Sequence, residues 1–208
     1  MTKVMMTRQK LAGDSISGGF TDYCLSSQIV FRWALQALSS PTSEISADSR
    51  AFFQDSPPLP PLMAALALTL TDHHTPVWIS DNYHDAKSWL SFHQGVVVTE
   101  TPSEALFFII SSCSEIPPLE YLKIGTERYP DHSATFILEK SASNKGPSLT
   151  ATGAGIKEKT IFSNHDFSYE FVSLWAKNTA SYPTGIDILL AGESTLIGLP
   201  RTVKLILN

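Results

Sequence analysis

Charge is scarce in this sequence: Asp, Glu, Lys and Arg make up 17% of its 208 residues, against roughly a quarter in ordinary soluble domains. A surface with so few charges leaves uncharged and apolar area for partners to cover. The 15 Lys and Arg are outnumbered by 20 Asp and Glu, for a formal net charge of -5, and no basic stripe runs along the chain. It therefore lacks the positive field that draws in a phosphate backbone, and no nucleic-acid partner is expected. Only two cysteines occur, Cys24 and Cys113, and neither belongs to a CxxC pair. That rules out a multi-bridge framework and fits a reducing, cytoplasmic setting, with both thiols expected in or near the core. Uninterrupted apolar runs of the ~18 residues that a span requires are missing. The opening MTKVMMTRQKLAGDS has basic residues but no apolar stretch behind them, so neither a secretory signal nor a membrane anchor is expected.

What the chain does contain is enough apolar material, 43%, for one domain with a real core. Residues 1–18 are polar, run into Ser17-Gly18-Gly19 and read as a flexible tail; residues 19–208 read as a single domain. Apolar residues at helical spacing predict a helix over 22–38 capped by Asp22, a buried helix over 62–70 and a third over 81–92, with a fourth over 169–179. Residues 77–79, 96–98 and 105–110 read as strands, the last as a central strand covered on both faces. Further strands are predicted over 134–138, 149–152, 186–191, 195–199 and 203–207, with a hairpin at Gly192-Glu193. Thr42 to Pro61 reads as a surface loop. Helices and strands alternating early and strands clustering late predict an α/β fold, a mixed central sheet with helices on both faces.

Several segments, in order, resemble the PhnH family of phosphonate-utilisation proteins: GFTDYCLSSQIVFRWALQAL from Gly19, LTLTDHHTPVWIS from Leu68, GTERYPDHSATFILE from Gly125, ATGAGI from Ala151, YPTGIDILLA from Tyr182 and GLPRT from Gly198. Their collinearity carries the likeness. The resemblance implies a three-layer αβα scaffold similar to the large domain of pyridoxal-phosphate-dependent transferases, without the cofactor, and usually a homodimer. It also implies an accessory role beside subunits G, I and J of the carbon-phosphorus lyase core complex. That complex couples a phosphonate to the ribose of ATP with loss of adenine, giving alpha-D-ribose 1-methylphosphonate 5-triphosphate, and then cleaves the carbon-phosphorus bond. The nucleosidase-like chemistry belongs to subunit I and the radical iron-sulfur step to subunit J; no catalytic residue of the PhnH subunit itself is implied. Two turns depart from the family pattern: Pro41-Thr42 stands where Pro-Gly is common, and Gly153-Ala154-Gly155 where Gly-Pro-Gly is.

Three groups of residues carry candidate chemistry. Gly153 and Gly155 come after a strand, as a phosphate-cradling loop does, with Lys157 and Lys159 nearby; the third glycine of the fingerprint is replaced by Glu158, so a plain turn is the competing reading. Asp72 and His73, with His74, form the densest ionisable cluster and suit either a general base or a capped helix exit. Adjacent histidines on an extended chain point opposite ways, and none of the six histidines shows metal-ligand spacing. Asp187 and Arg201 fall where antiparallel pairing brings them together, either as a structural pair or with the Arg201 fork holding a phosphate or a partner's carboxylate. No cofactor or metal is expected. Three functions compete: the accessory subunit, an independent phosphonate or nucleotide transferase using the Asp72-His73 cluster and the Gly153–Gly155 turn, and a retained pyridoxal-phosphate enzyme.

Overall fold

A computed structural model describes residues 16–142, 146–163 and 167–208. Among these residues four helices, α1 (Tyr23–Ser39), α2 (Pro61–Leu70), α3 (His84–Gln94) and α4 (Tyr169–Ala180), surround nine strands. These are β1 (Ile45–Ser46), β2 (Val77–Ile79), β3 (Phe107–Ile110), β4 (Thr135–Glu139), β5 (Ser148–Thr152), β6 (Thr160–Ser163), β7 (Asp187–Ala191), β8 (Thr195–Leu199) and β9 (Lys204–Leu207). The main sheet has the order β1-β8-β7-β4-β3-β2. From β2 to β7 its neighbours are parallel, while β8 and β1 are added antiparallel. A second, antiparallel sheet has the order β6-β5-β9.

Side chains alternate between the faces of a strand, and here the alternation divides two cores. Ile109, Ile137, Leu189 and Leu196 face one way and pack with Val30, Ala37, Leu66, Trp89 and Leu90 of α1, α2 and α3. Their neighbours Phe108, Phe136, Ile188 and Ile197 face the other way, against Phe171 and Trp175 of α4 and Leu149 and Leu205 of the small sheet. Phe108 stacks on Phe136 at 4.4 Å, and Phe167 on Phe171 at 4.3 Å. The mixed α/β architecture is thus a central sheet between a helical layer and a layer made of α4 and three strands.

Local chemistry explains the element ends. Asp22 accepts from the Leu25 N–H at 3.0 Å and caps α1; Pro61 opens α2 where a missing N–H costs nothing; Gly95 ends α3 at φ 65°. Gly198 has no room for a side chain, because a Cβ there would lie 2.3 Å from the Ala37 carbonyl oxygen. Helix α1 therefore rests directly on β8.

The structure corrects some expectations. The segment over 42–61 is not a plain surface loop: it carries β1 and a short 3-10 turn at Arg50–Phe52. Phe52 and Phe53 pack on Phe20 and Trp33, with Ala47 and Ser49 fully buried. Residues 96–98 form no strand; Val98 makes only an isolated parallel bridge to Val77, beyond the outer edge of β2. Cys24 is exposed, because it lies on the outward face of α1, whereas Cys113 is buried. Most of the expected tail lies outside the described residues. Its end is held: the Trp89 indole N–H donates to the Ser17 carbonyl at 2.9 Å, and His93 Nε2 lies 2.9 Å from the Ile16 carbonyl. No helix among the described residues is long and apolar enough to cross a membrane.

Candidate functional site

The residues singled out from the sequence lie at the amino ends of the parallel strands, and they form no single site. Asp187 opens β7 and Arg201 comes just after β8. The Arg201 guanidinium donates from Nε to Asp187 Oδ1 at 3.2 Å and from Nη2 to Asp187 Oδ2, while its backbone N–H reaches Asp187 Oδ1 at 2.8 Å. Nη1 donates to the Pro130 carbonyl at 2.7 Å and the Pro183 carbonyl at 3.4 Å, and Nη2 also to Ser133 Oγ. Five N–H groups are all that a guanidinium has, so this fork is fully engaged inside the fold.

Gly153 and Gly155 form the turn between β5 and β6, closed by the Ile156 N–H on the Gly153 carbonyl at 3.1 Å. Both have positive φ, 147° and 82°. A Cβ at Gly153 would meet the Thr202 carbonyl at 2.4 Å, and one at Gly155 the Ser39 carbonyl at 2.6 Å. The next element is strand β6, not a helix, and Lys157 and Lys159 are exposed. The glycines serve close backbone packing.

Asp72 stands after α2 and accepts from the His74 N–H at 2.8 Å and from Thr75 Oγ1 at 3.2 Å. The His74 backbone bond, ahead of Thr75 and the nearby imidazoles, holds its carboxyl below the usual carboxylate range. Here the chain is a turn, not extended, so the His73 and His74 rings do not diverge; their centroids are 3.8 Å apart. Asp72 precedes β2, whereas Gly153 packs on Thr202 just after β8, and the sheet order separates β2 from β8 by four strand spacings. That is about 19 Å, too far for the Asp72-His73 cluster and the Gly153 turn to hold one small ligand. Among the described residues no group of three or more His, Cys, Asp or Glu is placed to hold a metal ion; His165 lies outside them.

The opposite end of the sheet shows a denser polar arrangement that sequence reasoning missed. In open α/β sheets, ligands bind outside the carboxyl ends of the strands, where successive connections pass to opposite faces. Helix α3, after β2, packs in the helical layer, while Cys113, Ile116 and Leu122, after β3, pack in the other. At this end Asn82 Nδ2 donates to Ser111 Oγ at 2.7 Å, and Glu115 accepts from the Ser111 and Ser112 N–H groups at 3.0 Å. The Tyr83 hydroxyl donates to Glu139 Oε2. Burial first, and then Glu139, push the Tyr83 phenol far above its ordinary range, so it stays a donor. Beside Glu139, Lys140 Nζ pairs with Glu44 Oε1 at 3.2 Å. Glu139-Lys140 closing an apolar strand was the available signal, but the partners Glu44 and Tyr83 are remote in sequence.

The model of a family described as bacterial phosphonate metabolism protein (PhnH) matches residues 18–206. This chain belongs to the PhnH family. It is 35% identical over 193 residues, 91% of this chain and 94% of the relative, to the alpha-D-ribose 1-methylphosphonate 5-triphosphate synthase subunit PhnH of Rhizobium meliloti (strain 1021). It is also 26% identical over 83 residues, 40% of this chain and 43% of the relative, to the putative C-P lyase subunit protein HtxG of Stutzerimonas stutzeri. The likeness to a PhnH subunit thus extends over the fold described above, from Gly18 into β9.

Proposed function

We propose that this PhnH-family chain is an accessory, non-catalytic subunit of a carbon-phosphorus lyase core complex. It is needed for forming alpha-D-ribose 1-methylphosphonate 5-triphosphate from ATP and a phosphonate in the cytoplasm. The observation that carries this reading is the likeness to a subunit of that synthase over 91% of the chain. In the complex it contacts subunits G, I and J and pairs as a homodimer, on a scaffold akin to the large domain of pyridoxal-phosphate-dependent transferases that has given up the cofactor.

Two features support contact as its mode of action. Arg201, the one candidate with a fork suited to phosphate, has its donors engaged internally. Helix α1 has Arg32 as its only charged residue and turns Leu25, Phe31 and Leu35 outward at 55%, 48% and 53% exposure, apolar area of the kind that marks a protein interface. The test is to assemble subunits G, I and J with and without this chain and to measure adenine release from ATP plus methylphosphonate. Release is expected only with the chain present and none from the chain alone. Adenine release by the chain alone would establish the independent transferase instead, and undiminished release without it would remove the accessory role.

A further inference from the structure

We propose that the cleft at the carboxyl ends of β4 and β7 binds a neutral polyhydroxylated ligand, the hydroxyl edge of a sugar ring. The cleft holds about 410 Å³ between the amino end of α2, the Glu139-Lys140 exit of β4 and the β7–β8 hairpin. Its lining carries charges of both signs. Lys140, only 13% exposed, is paired with Glu44; Glu139 is oriented by Tyr83, which fills one of a carboxylate's roughly four acceptor positions. Glu193 adds a further carboxylate to the lining.

Charge selects the ligand. Glu139 and Glu193 in the lining oppose a phosphate or carboxylate. The Lys140 ammonium in the same lining opposes an amine. Several hydroxyls suit both, because one can donate to Glu139 and another accept from a lysine N–H. The walls supply the rest: Ser194 and Thr195 offer further hydroxyls, and Pro60, Pro61 and Ala191 an apolar surface for C–H groups. Gly192 keeps the floor open, since a Cβ there would lie 2.9 Å from Thr195 Oγ1 and 3.6 Å from Lys140 Cδ. The site stands on this geometry; only the choice of ribose as the sugar rests on the synthase-subunit reading.

The test is a titration of the full-length, isotope-labelled protein with D-ribose, monitored by amide NMR shifts, with sodium phosphate in parallel. Saturable shifts are expected at Lys140 and over 191–195, with no saturable response to phosphate. Glu139→Gln should weaken ribose binding by about tenfold or more, the worth of a hydrogen bond to a charged group. If that variant does not fold, Gly192→Val, which fills the floor, should abolish the shifts. Ribose leaving these amides unmoved, phosphate moving them at lower concentration than ribose, or Glu139→Gln binding unchanged would each overturn the proposal. Adenine release by the assembled complex tests the subunit reading separately, so a cleft that ignores ribose in an active complex condemns this inference alone.

Discussion

Arg201 and Asp187 stand at the open ends of the β7–β8 hairpin with side chains only 11% and 19% exposed, and every donor of the guanidinium finds an oxygen of this chain. One arginine thereby ties β7 to the carbonyls of Pro130 and Pro183. Removing one member of a largely buried ion pair strands the other, which costs about 3–5 kcal/mol. Asp187→Ala should lower the urea-unfolding stability by about that much. Arg201→Lys should recover little of the loss seen in Arg201→Ala, because an ammonium cannot reproduce the fork.

Thr42 occupies glycine's place in a conformational sense as well as in the family pattern. It is the positive-φ non-glycine residue of the described chain, at φ 64°, and a β-branched side chain held there carries strain of order 1–3 kcal/mol. Thr42→Gly should raise stability by about 1 kcal/mol, after glycine's entropy and the short Thr42 Oγ1 to Pro41 carbonyl bond are deducted. In the other departing turn, Gly155 at φ 82° and the Ile156-to-Gly153 bond define a type II geometry, whose second position favours proline. Ala154→Pro should add about 0.4–1 kcal/mol. Shifts in the urea midpoint at constant slope would report both.

Gly198 works in the opposite sense. Its Cβ would meet main-chain atoms of Ala37 and Leu38, at 2.3 Å and 2.7 Å, which cannot swing aside as a side chain can. Gly198→Ala should lift α1 off β8 and cost about 3 kcal/mol, at the upper end for overpacking, read as a drop in thermal midpoint with loss of near-ultraviolet dichroism from Trp33.

Asp48 supplies a pH signature. Side-chain and then backbone hydrogen bonds from Arg50 hold its carboxyl at about 2, below the ordinary 3.8. A carboxyl depressed by folding contributes stability that is fully present above the unfolded value and fades as pH falls toward the folded one. The Asp48–Arg50 contact should therefore persist down through pH 3 and yield near pH 2. Side-chain carboxyl NMR would track this, and Arg50→Ala should move the midpoint up toward the ordinary range, with the backbone N–H of residue 50 retaining part of the depression.

Much of the fold was legible because its signals are local. Asp22 before an apolar helical stretch marked α1, Val77–Ile79 emerged intact after Pro76, and FFII marked a central strand, since a strand covered on both faces needs no polar alternation. The segment over 42–61 misled because its Pro and Ser content reads as loop, while Phe52 and Phe53 find their partners in Phe20 and Trp33 far along the chain. Asp187 and Arg201 were legible as a pair because a hairpin fixes their register. The strand-end network was not: Tyr83 and Glu139 meet across 56 residues, and only the parallel sheet brings them together. The Gly153 turn resembled a phosphate loop in one dimension, yet its glycines answer to Thr202 and Ser39.

The central claim, that this chain works as a fixed component of a multi-subunit synthase, is tested most directly by the mass of the assembly. Subunits G, I and J should be co-expressed with this chain, purified through a tag on subunit I, and weighed intact by native mass spectrometry. The expected complex retains this 22.8 kDa chain in stoichiometric amount and loses it when Leu25, Phe31 and Leu35 of α1 are replaced by serine. A complete G, I and J complex that never carries this chain, from cells where it is folded and abundant, would contradict it.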